Sequence, residues 1–182
     1  MGTKLNLSGV VSESIVDGPG IRMTIFTQGC PHHCKGCHNP ETWAFEPKHP
    51  GDVDKILNIA VSNPILQGMT FSGGEPFCQA EGLAELAEKC HEHGLNVMSY
   101  TGYTFEELLA GEKKHPEWIR LLKNLDYLVD GPFILEERSL MLLFRGSKNQ
   151  RFLDVPESLR QGKAVSVDED TLYEGTKTRD QS

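Results

Sequence analysis

Residues 21–39 read IRMTIFTQGCPHHCKGCHN. The stretch 21–28 is rich in β-branched and apolar side chains and predicts a strand. That strand runs directly into a loop carrying Cys30, Cys34 and Cys37 at C-x₃-C-x₂-C spacing. Three thiols so close in sequence can reach one metal centre from a single turn of backbone, and they leave a tetrahedral or cubane site one ligand short. A structural zinc site takes four protein ligands, whereas a site that does chemistry keeps a position open for substrate or water.

Beyond this segment, short β-like runs alternate with amphipathic helical patterns. Val53, Ile56, Leu57 and Ala60 fall at 3, 4 and 7 spacing and predict a helix over 52–62. A second helix is predicted over 79–93, striped by Leu83, Leu86, Ala87 and Cys90 and stopped by Gly94. Phe105, Leu108 and Leu109 mark a short helix, and Trp118, Leu121, Leu122 and Leu125 another. Strands are predicted near 69–72, 96–100, 127–130 and 151–155. This alternation implies right-handed βαβ units and a mainly parallel sheet. With 182 residues the chain is too short for a complete eight-unit barrel of about 250. The expected fold is therefore α/β, a partial, open (β/α) barrel, with its chemistry at the carboxyl ends of the strands.

Composition fits one domain over 1–167, followed by an acidic, solvated tail over 168–182 with five carboxylates against Lys177 and Arg179. The formal net charge of −8 argues against a nucleic-acid or acidic-membrane partner, because phosphate binding depends on clustered Lys and Arg. No run approaches membrane-spanning length, and residues 1–14 have no basic segment followed by an apolar one. Asn6 stands where N-myristoylation expects Ser or Thr. Five cysteines, three of them clustered, do not make the paired framework of a small secreted domain. The thiols are expected to be reduced, metal-binding and cytoplasmic.

The cysteine loop alone leaves two metals open. Three thiolates can hold three irons of a 4Fe-4S cluster while the fourth iron binds an exogenous chelate. Alternatively His32, His33 or His38 completes a zinc tetrahedron, although zinc loops usually come as two ligand pairs and Cys78 and Cys90 lie 12 residues apart. Residues 72–76, SGGEP, follow a predicted strand. Gly73 and Gly74 lack side chains, so a ligand can lie against the strand end, and Glu75 can take an ammonium. The same five residues also suit an ordinary strand-to-helix turn.

Taken together, C-x₃-C-x₂-C at the end of a strand and a GGEP segment about one βα unit later resemble the radical S-adenosylmethionine superfamily. The resemblance implies that Cys30, Cys34 and Cys37 ligate a 4Fe-4S cluster, whose fourth iron is chelated by the amino and carboxylate groups of S-adenosylmethionine. It also implies that Gly73, Gly74 and Glu75 contact that amino group. Many members place an aromatic residue before the third cysteine, where this chain has Gly36. Residues 14–22, SIVDGPGIR, resemble a segment of the activating enzymes of glycyl-radical proteins. Further on, 100–103 (YTGY), 126–133 (DYLVDGPF) and 144–151 (FRGSKNQR) resemble the activases of anaerobic ribonucleoside-triphosphate reductase.

That resemblance implies reductive cleavage of S-adenosylmethionine to methionine and a 5′-deoxyadenosyl radical, which removes a Cα hydrogen from a glycine of the reductase. A flavodoxin or ferredoxin is the expected electron donor. His38, in the segment after the third cysteine, is expected near adenine, and Thr101, Asp130 and Arg145 are further expected cofactor contacts. Hydrogen-atom abstraction needs no general base, so no side chain is assigned a catalytic role.

Each of these residues also has a plainer reading. Asp130 is as well placed to cap the following turn, and Arg145, Lys148 and Arg151 form either a carboxylate-binding patch or a solvated turn. Other activases have Asp before the residue matched by Thr101, whereas this chain has Tyr100. Tyr100, Tyr103 and Trp43 suit adenine stacking, a partner contact or half-buried packing. Three other functions stay open. A pyruvate formate-lyase-type activase shares the DGPG and cysteine segments, a radical enzyme acting on a small pterin-like substrate shares the cysteines and GGEP, and a zinc-stabilised binding module needs only the thiols.

Overall fold

The computed structural model describes residues 3–168, so the acidic tail expected over 168–182 lies, apart from Asp168, outside the described residues. In chain order the elements are β1 (Lys4–Ser14), β2 (Arg22–Thr27), β3 (His49–Asp52), α1 (Val53–Val61), β4 (Gly68–Gly73), α2 (Ala80–Glu92), β5 (Asn96–Tyr100), α3 (Phe105–Ala110), α4 (Pro116–Lys123), β6 (Tyr127–Asp130), β7 (Arg151–Asp154) and α5 (Val155–Gln161). The strands form one seven-stranded sheet in the order β3-β1-β2-β4-β5-β6-β7. The pairs β2–β4, β4–β5 and β5–β6 are parallel, as the βαβ reading expects. By contrast β1–β2, β1–β3 and β6–β7 are antiparallel. The sheet is thus mixed, with a parallel centre and antiparallel flanks.

Local chemistry sets the boundaries. Asp52 accepts from the backbone N–H groups of Asp54 and Lys55, so α1 starts at Val53. Asp154 accepts from the N–H of Glu157, and Val155 is therefore the first residue of α5 rather than the last of a strand. The sequence reading misses β1 because its register shifts twice and both Val10 and Val11 are exposed, which breaks the alternation of a half-buried strand.

Alternation within the central strands gives the sheet two unlike faces. One face presents Met23, Ile25, Met69, Phe71, Val97, Leu128 and Leu153 to the main core, together with Leu83, Leu86 and Ala87 of α2 and Leu121 and Leu122 of α4. The other face carries Met98, Val129 and Phe152 in a small apolar cluster near β7, and buried polar residues Arg22, Thr24 and Thr70 on β2 and β4. Among the described residues no helix is long and apolar enough to cross a membrane.

Arg22 is fully buried on this second face. Its guanidinium donates to Thr70 Oγ1 (2.7 Å), Asn96 Oδ1 (2.5 Å) and the carbonyls of Pro19 (3.0 Å) and Met69 (2.9 Å). Thr70 donates onward to the carbonyl of Asp17 at 2.8 Å. The DGPG turn is thereby tied to β4 and β5. Burial lowers the Arg22 pKa to about 10, which leaves it cationic near neutrality.

Arg22→Ala is expected to cost about 3 kcal/mol or more, because it removes five donors from a dry site and orphans their acceptors. Cys90, buried against Met69 with its sulfur 3.9 Å from Met69 Sδ, is expected to cost about 1 kcal/mol or less on replacement by Ala. Urea unfolding midpoints at constant slope separate the two outcomes.

Candidate cluster site

A cavity of about 730 Å³ opens where β2, β4, β5 and β6 end. Each strand hands the chain to it at its carboxyl end. Cys30, Cys34 and Cys37 follow β2, Gly73 ends β4 with Gly74 next, Tyr100 ends β5 with Thr101 next, and Gly131 follows β6. The cysteine loop is pinned by backbone bonds from Gly29 N–H to Thr42 O (2.6 Å), Cys30 N–H to Trp43 O (3.1 Å) and Cys37 N–H to Cys34 O (3.1 Å). In addition Asn39 donates its N–H to Cys37 Sγ at 3.4 Å, the kind of contact that stabilises a ligating thiolate.

Cys30 is buried. Burial pushes its thiol up, as do the charges of Glu75 and Cys34, against the lowering effect of bonds from the His32 and His33 backbone. A metal bound there replaces the proton.

Three cysteines lining one roomy cavity fit an iron–sulfur cluster with an open position. Among the described residues no three His, Cys, Asp or Glu side chains gather around an ion-sized point. Of the histidines offered as a fourth zinc ligand, His32 is bonded to Glu75 and His33 stacks on Trp43 at 4.6 Å. His38 lines the cavity with its ring 5.2 Å from Phe133.

The GGEP segment is built tightly into the fold. Gly73 has φ +93°, and a Cβ there would lie 2.5 Å from Thr27 N. A Cβ on Gly74 would lie 2.3 Å from Gly29 O. These glycines let β4 pack against the end of β2 and the start of the cysteine loop, and their backbone still faces the cavity. Glu75 is fully buried and its carboxylate already has four protein donors. Oε1 meets His32 Nε2 (2.7 Å), Thr101 Oγ1 (2.7 Å) and Gly102 N–H (2.8 Å), while Oε2 accepts from Phe77 N–H (2.9 Å). Through these bonds Glu75 ties the cysteine loop to the ends of β4 and β5. Thr101 lines the cavity with its hydroxyl spent on Glu75.

Asp130 sits behind the wall. It is buried and accepts from Arg151 Nε (3.0 Å), Arg151 Nη2 and Phe105 N–H (2.8 Å), so it ties the first residue of α3 to β6 and holds β7, while its neighbour Gly131 reaches the cavity. Arg151 also bonds Glu106, so the basic patch divides: Arg151 is structural, and Arg145 lines the cavity. Tyr100 lines the cavity and donates its hydroxyl to Phe144 O at 2.8 Å. Tyr103 packs edge-on to His32 at 4.5 Å and lies 4.9 Å from Trp118. The sequence reading did not assign Val16, Asp17, Phe133, Arg138 or Phe144 to the cavity. The first two stand in the quoted DGPG segment and Phe133 in DYLVDGPF, but nothing local marks Arg138.

Cys78 is exposed, yet partial desolvation, with the nearby charges of Glu75 and Cys30 adding to it, raises its thiol to about 12. It is therefore a poor thiolate unless a metal claims it.

Arg151→Met is expected to leave Asp130 buried and unpaired, at about 3 kcal/mol. Glu106, which its hydrogen bonds from Arg151 hold below the ordinary 4.5, returns toward that value in the variant. Its contribution is present above pH 4.5 and fades as pH falls through the depressed pKa. Wild type should therefore lose this increment on acidification and the variant should not, as unfolding midpoints between pH 6 and about 3 will read. Glu75→Gln sets an amide N–H₂ against at least one donor and is expected to cost about 2 kcal/mol by the same measurement.

Residues 16–153 match the family model described as "4Fe-4S single cluster domain". The anaerobic ribonucleoside-triphosphate reductase-activating protein of Salmonella typhi is 33% identical over 144 residues, covering 75% of this chain and 90% of that protein. Its counterpart from Vibrio cholerae is 35% identical over 144 residues, covering 75% and 89%. Among solved structures, QueE from Escherichia coli matches 56% of this chain and 53% of its own at TM-score 0.44 and 18% identity, too distant to carry an activity across. With three cysteines lining a strand-end cavity and relatives aligned along most of its length, the chain belongs to the family of anaerobic ribonucleoside-triphosphate reductase-activating proteins, built on a 4Fe-4S single cluster domain.

Proposed function

We propose that this protein cleaves S-adenosylmethionine reductively and leaves a glycyl radical on anaerobic ribonucleoside-triphosphate reductase. The observation that carries the reading is the convergence of Cys30, Cys34 and Cys37 on one cavity at the ends of four parallel strands. When bound by those thiolates, a 4Fe-4S cluster supplies the electron that splits the sulfonium and frees the 5′-deoxyadenosyl radical that takes hydrogen from glycine.

The chain's own residues position the reactants and keep out water. The backbone at Gly73 and Gly74 offers polar groups to an amino group bound in the same cavity as the thiols. Arg145 takes the carboxylate, and His38 with Phe133 borders the adenine. Glu75, Thr101 and Asp130 act through the wall, by holding the strand ends in register, and not by touching the cofactor. Supporting this division, the side chains of all three are buried and bonded within the protein.

The sheet is read as an open, partial barrel whose polar inner face is kept for the ligand. One radical-forming domain spans 1–167, and the acidic tail lies beyond it. The protein works in the cytoplasm and takes its electron from a flavodoxin or ferredoxin.

Anaerobic reconstitution tests the cluster assignment. Wild type is expected to bind about four irons and four sulfides per chain and to release 5′-deoxyadenosine when reduced. Cys30→Ala, Cys34→Ala and Cys37→Ala should each abolish that release, while Cys90→Ala keeps it. A colourless zinc protein with no cleavage would overturn the reading.

A further inference from the structure

The four most exposed large apolar side chains among the described residues are Met141 (88%), Leu140 (84%), Ile15 (74%) and Val16 (72%). The next, Phe45, stands at 58%. These four come as two adjacent pairs on loops far apart in sequence, and each pair sends one member, Val16 or Leu140, into the wall of the same cavity. Ile15 and Met141 stand outside that wall.

Both loops are held in place. Arg22 and Thr70 bind the carbonyls of Pro19 and Asp17 beside the first pair, and Val16 N–H donates to Ser14 Oγ. The second pair tips a segment strapped by the Arg138–Ser147 bridge and the bond from Ser139 N–H to Gly146 O. Apolar surface presented on rigid supports loses little conformational entropy when covered, which favours binding over disorder.

Resting on the function given above, we propose that these two pairs are the docking surface for the reductase and flank its glycine-bearing segment. A small substrate would be enclosed by the cavity and would need no apolar surface outside it. A backbone Cα, in contrast, must be delivered by a polypeptide that enters the cavity past Val16 and Leu140. The chain leading to and from that glycine then covers Ile15 and Met141.

The test compares reconstituted full-length wild type with Ile15→Ser/Met141→Ser, and with Ile59→Ser/Ile65→Ser as a control pair of exposed apolar residues away from the cavity. Iron content and 5′-deoxyadenosine release without reductase are expected to match in all three. Affinity for the reductase, and the reductase concentration giving half-maximal glycyl-radical formation, are expected to worsen by about 10-fold or more only in the Ile15/Met141 variant. Unchanged reductase affinity in that variant would overturn the proposal. So would an equal loss in the control pair, or an effect confined to self-association of the chain, which would mark a contact between copies. If wild type forms no glycyl radical, the functional reading itself fails. Normal radical formation with an indifferent variant overturns the docking surface alone.

Discussion

One buried carboxylate holds the site together. Glu75 receives donors from the cysteine loop through His32, from the end of β5 through Thr101 and Gly102, and from the short helical turn after β4 through Phe77. In a low-dielectric interior such bonds are strong when complete and costly when one partner is lost, so the three segments rise or fall together. The glycines before it serve the same end. Any side chain at Gly73 or Gly74 would strike the backbone of Thr27 or Gly29 and force β4 away from β2.

The sheet's two faces separate stability from function. Helices cover one face with a continuous apolar core. On the other face Arg22 and Thr70 sacrifice apolar burial to fix the DGPG turn, and Glu75 and Asp130 do the same at the strand ends. A buried guanidinium or carboxylate surrounded by hydrogen-bond partners adds less to stability than a packed hydrophobe of the same size, but it specifies one arrangement. That arrangement turns three thiols, the β4 backbone and Arg145 toward a common space.

Strands with regular alternation and helices with an apolar stripe were legible in the sequence: 96–100 and 127–130 match β5 and β6, and α2 departs by one residue at each end. The flanks were not. β1 breaks its own alternation, β3 contains Pro50, and α5 begins where a strand pattern still runs, so only tertiary pairing and the Asp154 cap reveal them. The cavity's thiols were legible because their spacing is chemistry. The partners of Glu75 and Asp130 were not, since His32 lies 43 residues from Glu75, Arg151 lies 21 from Asp130, and no local pattern encodes either pair.

The central claim is that a radical made at these thiols ends on a glycine of another protein. Electron paramagnetic resonance answers it directly, on the anaerobically reconstituted protein mixed with S-adenosylmethionine, a low-potential reductant and the reductase. The expected result is a persistent organic radical on the reductase, with splitting that collapses when its glycines are deuterated at Cα. Cleavage of S-adenosylmethionine with no radical on the reductase would contradict the claim.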